Sequence, residues 1–242
     1  MDDADLDRRF GPRVPGWTPP PRPGRIALQG RHVALEPLSA AAHADDLFRA
    51  YAGADSVWDY LPYGPFPDPP AYQAHAATME GSEDPRFLAF RDAATGRAAG
   101  VASFLRIDPA NGVIEVGHIC LAPAMQRTVA ATEGLFLMMR WAFGAGYRRC
   151  EWKGNALNLP SRRAAQRLGF AFEGVFRQAA IVKGRNRDTA WFSVIDGDWP
   201  GLRAAFGQWL DPANFDAQGR QRRRLTDLTR PLVAAPDPAL AR

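Results

Sequence analysis

The stretch that decides the fold is residues 113–143, VIEVGHICLAPAMQRTVAATEGLFLMMRWAF. Its first part, up to Leu121, is apolar and rich in β-branched residues, which predicts a buried strand. Pro123 has no backbone N–H to give to a sheet, so we expect the strand to end before it. Thr132 is suited to be the N-cap of the helix that follows. The spacing of the later apolar residues gives that helix one core face, made of Leu135, Met138, Met139, Ala142 and Phe143.

Residues 126–131 (QRTVAA) connect the predicted strand to the predicted helix. The unpaired N–H groups and the positive dipole end of a helix start form a binding site for phosphate. Small side chains let a ligand approach the backbone, and Arg127 adds a charge that can pair with phosphate in a bidentate way. The segment therefore indicates a phosphate-binding loop, with an ordinary strand-to-helix connection as the alternative.

Length and composition fit an ordinary globular protein. A chain of 242 residues can form one large domain or two small ones, and its apolar content is 46%. Lys153 and Lys183 are the only lysines, so almost all positive charge comes from arginine. A formal net charge of +4 favours anionic ligands only weakly and gives no reason to expect nucleic-acid binding.

The two cysteines, Cys120 and Cys150, lie among apolar residues in predicted strands. We expect both to be reduced core residues, which suits a cytoplasmic protein. Neither has metal-ligand spacing with a histidine, so no metal site is predicted. No apolar run approaches the ~20 residues needed to cross a bilayer, and the N-terminus does not resemble a signal peptide, so no membrane association is expected.

The order of the predicted elements indicates one α+β domain over residues 25–210. A three-strand antiparallel meander leads into the strand at residues 113–121, and a helix, a strand, a second helix and a hairpin follow. Because a helix separates the strand at residues 147–153 from the strand at 113–121, these two should be parallel. The sequence therefore predicts a mixed, mostly antiparallel central sheet flanked by helices.

Both ends of the chain differ in composition from this domain. Residues 1–24 are charged and then proline-dense, so we expect an arm without regular structure, which Trp17 could pin to the domain or to a second subunit in a homodimer. Residues 211–242 are rich in arginine, proline and alanine, and we expect a solvated tail.

Three blocks of this sequence resemble the GNAT superfamily of N-acetyltransferases. They are residues 126–133 (QRTVAATE), residues 158–170 (NLPSRRAAQRLGF) and residues 173–188, which contain EGVFR and GRNRD. Their order and spacing are most similar to the branch of the ribosomal-protein N-terminal acetyltransferases RimJ and RimL, and the match covers roughly residues 25–210.

The resemblance implies an acyl-CoA-dependent enzyme that moves an acetyl group from acetyl-CoA to a primary amine, either a protein N-terminus or a small amine, by direct attack in a ternary complex. Splayed central strands would form the acyl-CoA cleft, with the pyrophosphate on the loop amides and the pantetheine arm along the strand end. The residues implied in binding acyl-CoA are Ile119, Cys120, Leu121, Gln126, Arg127, Thr128, Val129, Ala130, Ala131, Thr132, Asn158 and Ser161. A succinyl or other acyl donor is one alternative, and a non-catalytic CoA-binding or partner-docking module is another.

Two positions depart from the family pattern. Val129 stands where the family loop usually has glycine, which is harmless only if the backbone there is helical, since a β-branched residue does not easily adopt a positive φ. Ala180 stands where RimL-like members have a glutamate, so the base of those members is missing here.

Glu115 and His118 on the central strand are the candidate general bases. The resemblance to RimL-like members implies that Ser161 is the proton donor to the leaving thiolate. Glu115 has the spacing to the loop that the base has in histone-acetylating members, and its apolar neighbours suit a proton acceptor. Strand alternation places Glu115 and His118 on opposite faces unless a bulge intervenes. The alternatives are a structural glutamate and a serine that caps its helix.

Arginines are concentrated in the terminal hairpin, at Arg177, Arg185 and Arg187, next to Asp188. Such a set is usually a solvated face with ion pairs. It could also bind an acidic acceptor or the 3′-phosphate of CoA.

Overall fold

The computed structural model describes residues 3–241, with side chains from residue 5 onward. The first two residues of the predicted arm and the last residue of the predicted tail lie outside this range. The strands are β1 (Leu28–Gln29), β2 (Val33–Pro37), β3 (Arg86–Asp92), β4 (Ala98–Asp108), β5 (Val113–Leu121), β6 (Arg149–Asn155), β7 (Ala171–Val182) and β8 (Arg185–Ile195). The helices are α1 (Asp3–Phe10), α2 (Ala40–Tyr51), α3 (Pro69–Glu80), α4 (Val129–Gly144), α5 (Leu159–Arg167), α6 (Trp199–Leu210) and α7 (Leu225–Thr229).

The strands form one eight-stranded sheet in the order β1-β2-β3-β4-β5-β6-β8-β7. Neighbouring strands are antiparallel except β5 and β6, which are parallel because α4 carries the chain back across the sheet. The predicted fold class, a single α+β domain with a mixed, mostly antiparallel sheet flanked by helices, is confirmed. Within residues 3–241, every helix is too short or too polar to cross a membrane.

Alternation along the strands builds a separate core on each face of the sheet. In β3, Leu88 and Phe90 pack into the core under α4 and α6, whereas Phe87 and Ala89 pack into the core under α2 and α3. Helix α4 lies close against β3 at Gly134, where an added Cβ would come within 2.3 Å of the Phe90 ring.

The segment before β1 differs from the predicted unstructured arm. Residues 3–10 form α1, and the chain after it is held against the domain by side-chain bonds to backbone carbonyls. Trp17 Nε1 donates to the Ala110 carbonyl at 3.0 Å, and the Tyr147 hydroxyl donates to the Pro21 carbonyl at 3.1 Å. Trp17 therefore does fasten this segment to its own domain.

The segment after α6 is not the solvated tail that its composition suggested. Leu225 and Thr229 of α7 are fully buried, and Asp237 is almost completely buried. The arginines around these residues point to solvent and obscured the apolar side of α7 in the sequence.

Candidate active site

The central strands β5 and β6 separate halfway along their length. Parallel pairing joins Val113, Ile114 and Glu115 to Arg149, Cys150 and Glu151 and then stops, although β5 continues to Leu121 and β6 to Asn155. A cavity of about 730 Å³ opens where they separate. The predicted splay of the central strands is therefore confirmed.

A β-bulge in β5 lies at the wall of this cavity. Ser103 of β4 pairs with Gly117, but Val101 pairs with Cys120, so β5 uses one residue more than β4 across this interval. His118 lies in the bulge with a φ of +48°. Because the bulge shifts the alternation of side chains, His118 and Glu115 both line the same cavity. The opposite placement expected for a regular strand does not occur.

Glu115 is buried and holds two cations. One carboxylate oxygen accepts from Arg106 Nη1 at 2.7 Å and lies 3.1 Å from Lys153 Nζ. Lys153 is itself buried and also contacts Glu151 at 2.6 Å. The carboxylate is thus part of an ion-pair network and not an isolated acid among apolar side chains.

His118 is a neutral imidazole at physiological pH. Burial lowers its pKa to about 4, with further contributions from the positive charges of Arg106 and Arg187 and from His75. Its Nδ1 lies 3.0 Å from the Tyr63 hydroxyl, and the two rings are nearly parallel. Burial also raises the pKa of Tyr63, which keeps the phenol protonated.

Ser161 is positioned by a tryptophan and does not cap its helix. Asn158 is the N-cap of α5, since its Oδ1 accepts from the Ser161 amide at 3.1 Å. The Ser161 hydroxyl accepts from Trp152 Nε1 at 3.0 Å and lines the cavity. A hydroxyl that accepts one bond still has its own proton to donate. The capping alternative for Ser161 is therefore wrong.

Helix α4 starts earlier than the sequence indicated, because Thr128 and not Thr132 is its N-cap. The Thr128 hydroxyl accepts from the Ala131 amide at 3.1 Å, and the Thr128 carbonyl accepts from the Thr132 amide at 3.4 Å. Among the described residues, the amides of Arg127, Val129 and Ala130 have no acceptor. These three donors at a helix start suit a phosphate group.

The backbone around Val129 is helical, so valine causes no strain at the usual glycine position. The positive φ, +64°, falls instead on the exposed Arg127. Glu133 is buried and accepts from the amides of Arg31 and His32, at 2.9 and 2.6 Å. It holds the β1–β2 turn against α4.

All but one of the predicted acyl-CoA residues fall into two groups, those that line the cavity and those at the start of α4. Ile119, Leu121, Gln126, Asn158 and Ser161 line the cavity, and Gln126 also donates to the Leu121 carbonyl at 2.9 Å. Residues 127–132 lie beyond Gln126 at the start of α4, outside the cavity lining.

Cys120 belongs to neither group. It is buried in the core under α2 and α3, and its carbonyl accepts from the Tyr51 hydroxyl at 2.8 Å. Burial raises the pKa of the Cys120 thiol to about 12. Both cysteines are free, as predicted. In the described part of the chain, no three His, Cys, Asp or Glu side chains are grouped as metal ligands would be.

Several polar residues of the cavity were not predicted as site residues. Arg106 and Lys153 hold Glu115, and Trp152 positions Ser161. Two signals were available in the sequence: Arg106 interrupts the apolar run of β4, and Lys153 is one of only two lysines. Trp152 gave no signal, because its place in an alternating strand equally suits a core residue.

The comparisons with known proteins agree with this geometry. Residues 32–171 match the family model of the acetyltransferase (GNAT) domain. A GCN5-related N-acetyltransferase from Brucella melitensis has a similar structure, with a TM-score of 0.88 and 47% identity, over 90% of this chain and 100% of that one. A GNAT-family protein from Chromobacterium violaceum gives a TM-score of 0.74 and 42% identity, over 78% and 96% of the two chains.

A more distant structure shares the fold alone. The microcin C7 self-immunity acetyltransferase, solved with acetyl-CoA and AMP, has a TM-score of 0.61 and 21% identity, over 69% of this chain and 93% of that one. No curated protein sequence matches significantly. The family model and the Brucella structure together show that this chain belongs to the GNAT family of acetyltransferases.

Proposed function

We propose that this protein transfers an acetyl group from acetyl-CoA to a primary amine by direct attack in a ternary complex. The observation that carries the proposal is the cleft between β5 and β6, which has the Ser161 hydroxyl in its wall and Gln126 in its lining, directly before the unpaired amide donors at the start of α4. Family membership supports acyl transfer from acetyl-CoA in general. The acceptor, the roles of the residues and the order of the steps are our inference.

The chain offers a fitting site for the donor. The free amides of Arg127, Val129 and Ala130 would bind the pyrophosphate, helped by the dipole of α4. The end of β5 that is not paired with β6, at Ile119 and Leu121, would lie beside the pantetheine arm. The side-chain nitrogen of Asn158, free of partners among the described residues, would face it from α5.

Acetyl-CoA supplies the acetyl group as a thioester. When the amine nitrogen bonds to the thioester carbon, the C–S bond breaks, the nitrogen loses one proton and the sulfur gains one. We assign the second proton to Ser161, whose hydroxyl is oriented by Trp152. The proton that the nitrogen loses is taken up first by the base and then returns through solvent to Ser161, so that no net proton is consumed.

The cavity favours a neutral amine, which is the reactive form. The positive charges of Arg106 and Arg187 help to lower the pKa of His118, and the same field acts on an amine bound beside it. His118 is neutral and can accept the proton that leaves the nitrogen. Glu115 and His118 were both candidate bases, but the Glu115 carboxylate is paired with Arg106 and Lys153. We therefore propose that Glu115 positions these cations and that His118 is the base.

Three finer points remain within this proposal. The first is the donor, which could carry a longer acyl chain than acetyl. The second is the RimJ/RimL-like branch, which rests on the three sequence blocks alone. The third is a homodimer, which is compatible with the fold. A non-catalytic CoA-binding or partner-docking module is the main competitor. It would bind acetyl-CoA and release no thiol.

The test is a screen of small amines and N-terminal peptides with acetyl-CoA and succinyl-CoA, following thiol release and the mass of the product. Acetylated amine formed in step with free thiol is the expected result. Binding of acetyl-CoA by calorimetry without turnover of any amine would support the module instead.

A further inference from the structure

Arg187 on β8 is a half-buried cation that lines the cavity without an acidic partner. Among the side chains that the structure describes, no carboxylate lies within 4.0 Å of its guanidinium, and its one hydrogen bond runs from Nε to the Thr189 hydroxyl at 3.3 Å. Burial lowers the pKa of Arg187 and the positive charge of Arg106 adds to this, whereas the negative charge of Glu115 offsets it only in part. The charged form is therefore destabilised where it lies.

Two other shielded arginines of this protein are paired with acids, whereas Arg167, outside the cavity, donates to the Thr132 hydroxyl at 3.1 Å and lies over the Trp209 ring. Arg162 and Arg149 each hold a carboxylate through two nitrogens, that of Asp237 and that of Glu173 respectively. The remaining arginines of the terminal hairpin, Arg177 and Arg185, are exposed. Arg187 alone among these three hairpin arginines lines the cavity. A half-buried guanidinium that lacks a paired carboxylate in an open cavity is suited to bind an anion from outside.

The charges around Arg187 also make the cavity attractive to an anion. The cavity wall contains three cations, Arg106, Lys153 and Arg187, against the single carboxylate of Glu115. Ala180, where the RimL-like members have a glutamate, also lines this wall and contributes no negative charge.

A second unpaired donor lines the same cavity. Trp191 Nε1 is buried and has no acceptor among the described residues. A buried N–H without a partner is costly, so such groups usually bind an acceptor supplied by water or ligand. Two unpaired donors in one cavity favour a ligand rich in acceptor oxygens.

We infer that the acceptor amine carries an anionic group, a carboxylate or a phosphate, and that Arg187 binds this group. The inference rests on the proposed function and narrows its acceptor to amino acids, amino phosphates or peptides with an acidic side chain. Arg187 would thereby determine specificity and position the amine. The donor phosphates have their own site at the start of α4, outside this cavity.

The test compares acceptors that differ only in charge: an ω-amino acid, its amide, and an aminoalkyl phosphate of the same length. A charge-assisted hydrogen bond contributes roughly 1.5–3 kcal/mol, so kcat/KM for the anionic amines should exceed that for the amide by about 10- to 100-fold. Arg187→Gln should reduce this ratio to about one, and it should lower kcat/KM for the amide much less than for the anionic amines. Arg187→Lys should restore part of the ratio, and the exposed control Arg177→Gln should retain it.

A binding measurement separates failure of this inference from failure of the proposed function. With CoA saturating, inorganic phosphate or acetate should raise the melting temperature of the wild type and of Arg177→Gln, but not of Arg187→Gln. The two anions also distinguish phosphate from carboxylate recognition. A ratio near one in the wild type, an equal loss for amide and anion in Arg187→Gln, or an anion-induced shift that persists in Arg187→Gln would overturn the inference. If no amine is acetylated but the anions raise the melting temperature only when Arg187 is present, the proposed function is wrong and the anion site is supported.

Discussion

Arg162 and Asp237 form a buried, bidentate ion pair that joins the start of α5 to the segment after α7. The two bonds, from Nε to Oδ2 and from Nη2 to Oδ1, measure 2.7 and 2.6 Å. Arg162 also donates to the Ala156 carbonyl at 2.8 Å. Because Asn158 and Ser161 lie on the same first turn of α5, the C-terminal segment helps to hold the candidate site in place.

Removing one partner of this pair should therefore be costly. We expect Asp237→Ala to lower the free energy of unfolding by about 3–5 kcal/mol, since it leaves a buried, unpaired guanidinium. Urea denaturation would measure this change. Arg220→Gln, which breaks the exposed pair with Asp216, is the control and should change stability by less than about 1 kcal/mol. Equal effects of the two substitutions would show that the buried pair does not hold the C-terminal segment.

The amide of Val129 can be removed without disturbing the helix. Val129 is the first residue of α4, where proline is favoured, and Thr128 before it has the extended backbone that a following proline requires. We expect Val129→Pro to fold normally and to weaken acetyl-CoA binding by roughly tenfold or more, because one phosphate donor is lost. Calorimetric titration would measure this, with Val129→Ala as the control that keeps the amide. Equal affinities of the two variants would place the pyrophosphate elsewhere.

Ser161→Ala should lower kcat by about 10- to 100-fold and leave the KM for acetyl-CoA nearly unchanged, because the hydroxyl acts on the leaving sulfur. Trp152→Phe keeps an aromatic ring at this position but loses the indole N–H that donates to the Ser161 hydroxyl, so it should cause a smaller loss in kcat. Steady-state kinetics at saturating amine would show both effects. An unchanged kcat in Ser161→Ala would reduce this serine to a structural residue.

The pH dependence of kcat can identify the base. Because the pKa of His118 is lowered to about 4, its imidazole is already neutral from about pH 5 upward. We expect His118→Gln to lower kcat by about 10- to 100-fold and by a constant factor between about pH 5.5 and 8. A difference that grows across pH 6–7 would mean that His118 has an ordinary pKa. Activity retained in His118→Gln but lost in Glu115→Gln would return the role of base to Glu115.

Regular patterns in the sequence were sufficient for the central sheet and its flanking helices, but not for the segments before β1 and after α6. The buried strand β5, the parallel pairing with β6 and the flanking helices all follow from periodicity and from the rule for helical crossovers. The start of α4 was misplaced because both Thr128 and Thr132 are suitable caps, and only the backbone conformation distinguishes them.

The site could be predicted only in part. Glu115 and His118 were candidates because of their places on the central strand, and Ser161 because of the family resemblance. The bulge at His118 has no clear sequence signal, yet it decides which side chains share the cavity. The partners of Glu115 come from other strands, Arg106 on β4 and Lys153 on β6, so only the folded sheet brings them together.

Direct transfer in a ternary complex is the central claim of this account, and a single-turnover reaction tests it. Protein in excess over acetyl-CoA is mixed with an anionic amine, and thiol release, acetylated amine and the intact protein mass are followed together. We expect one acetylated amine for each thiol released, with no acetyl group on the protein at any time and no thiol release when the amine is omitted. A transient acetyl group on the protein, or thiol release without acetylated amine, would contradict the account.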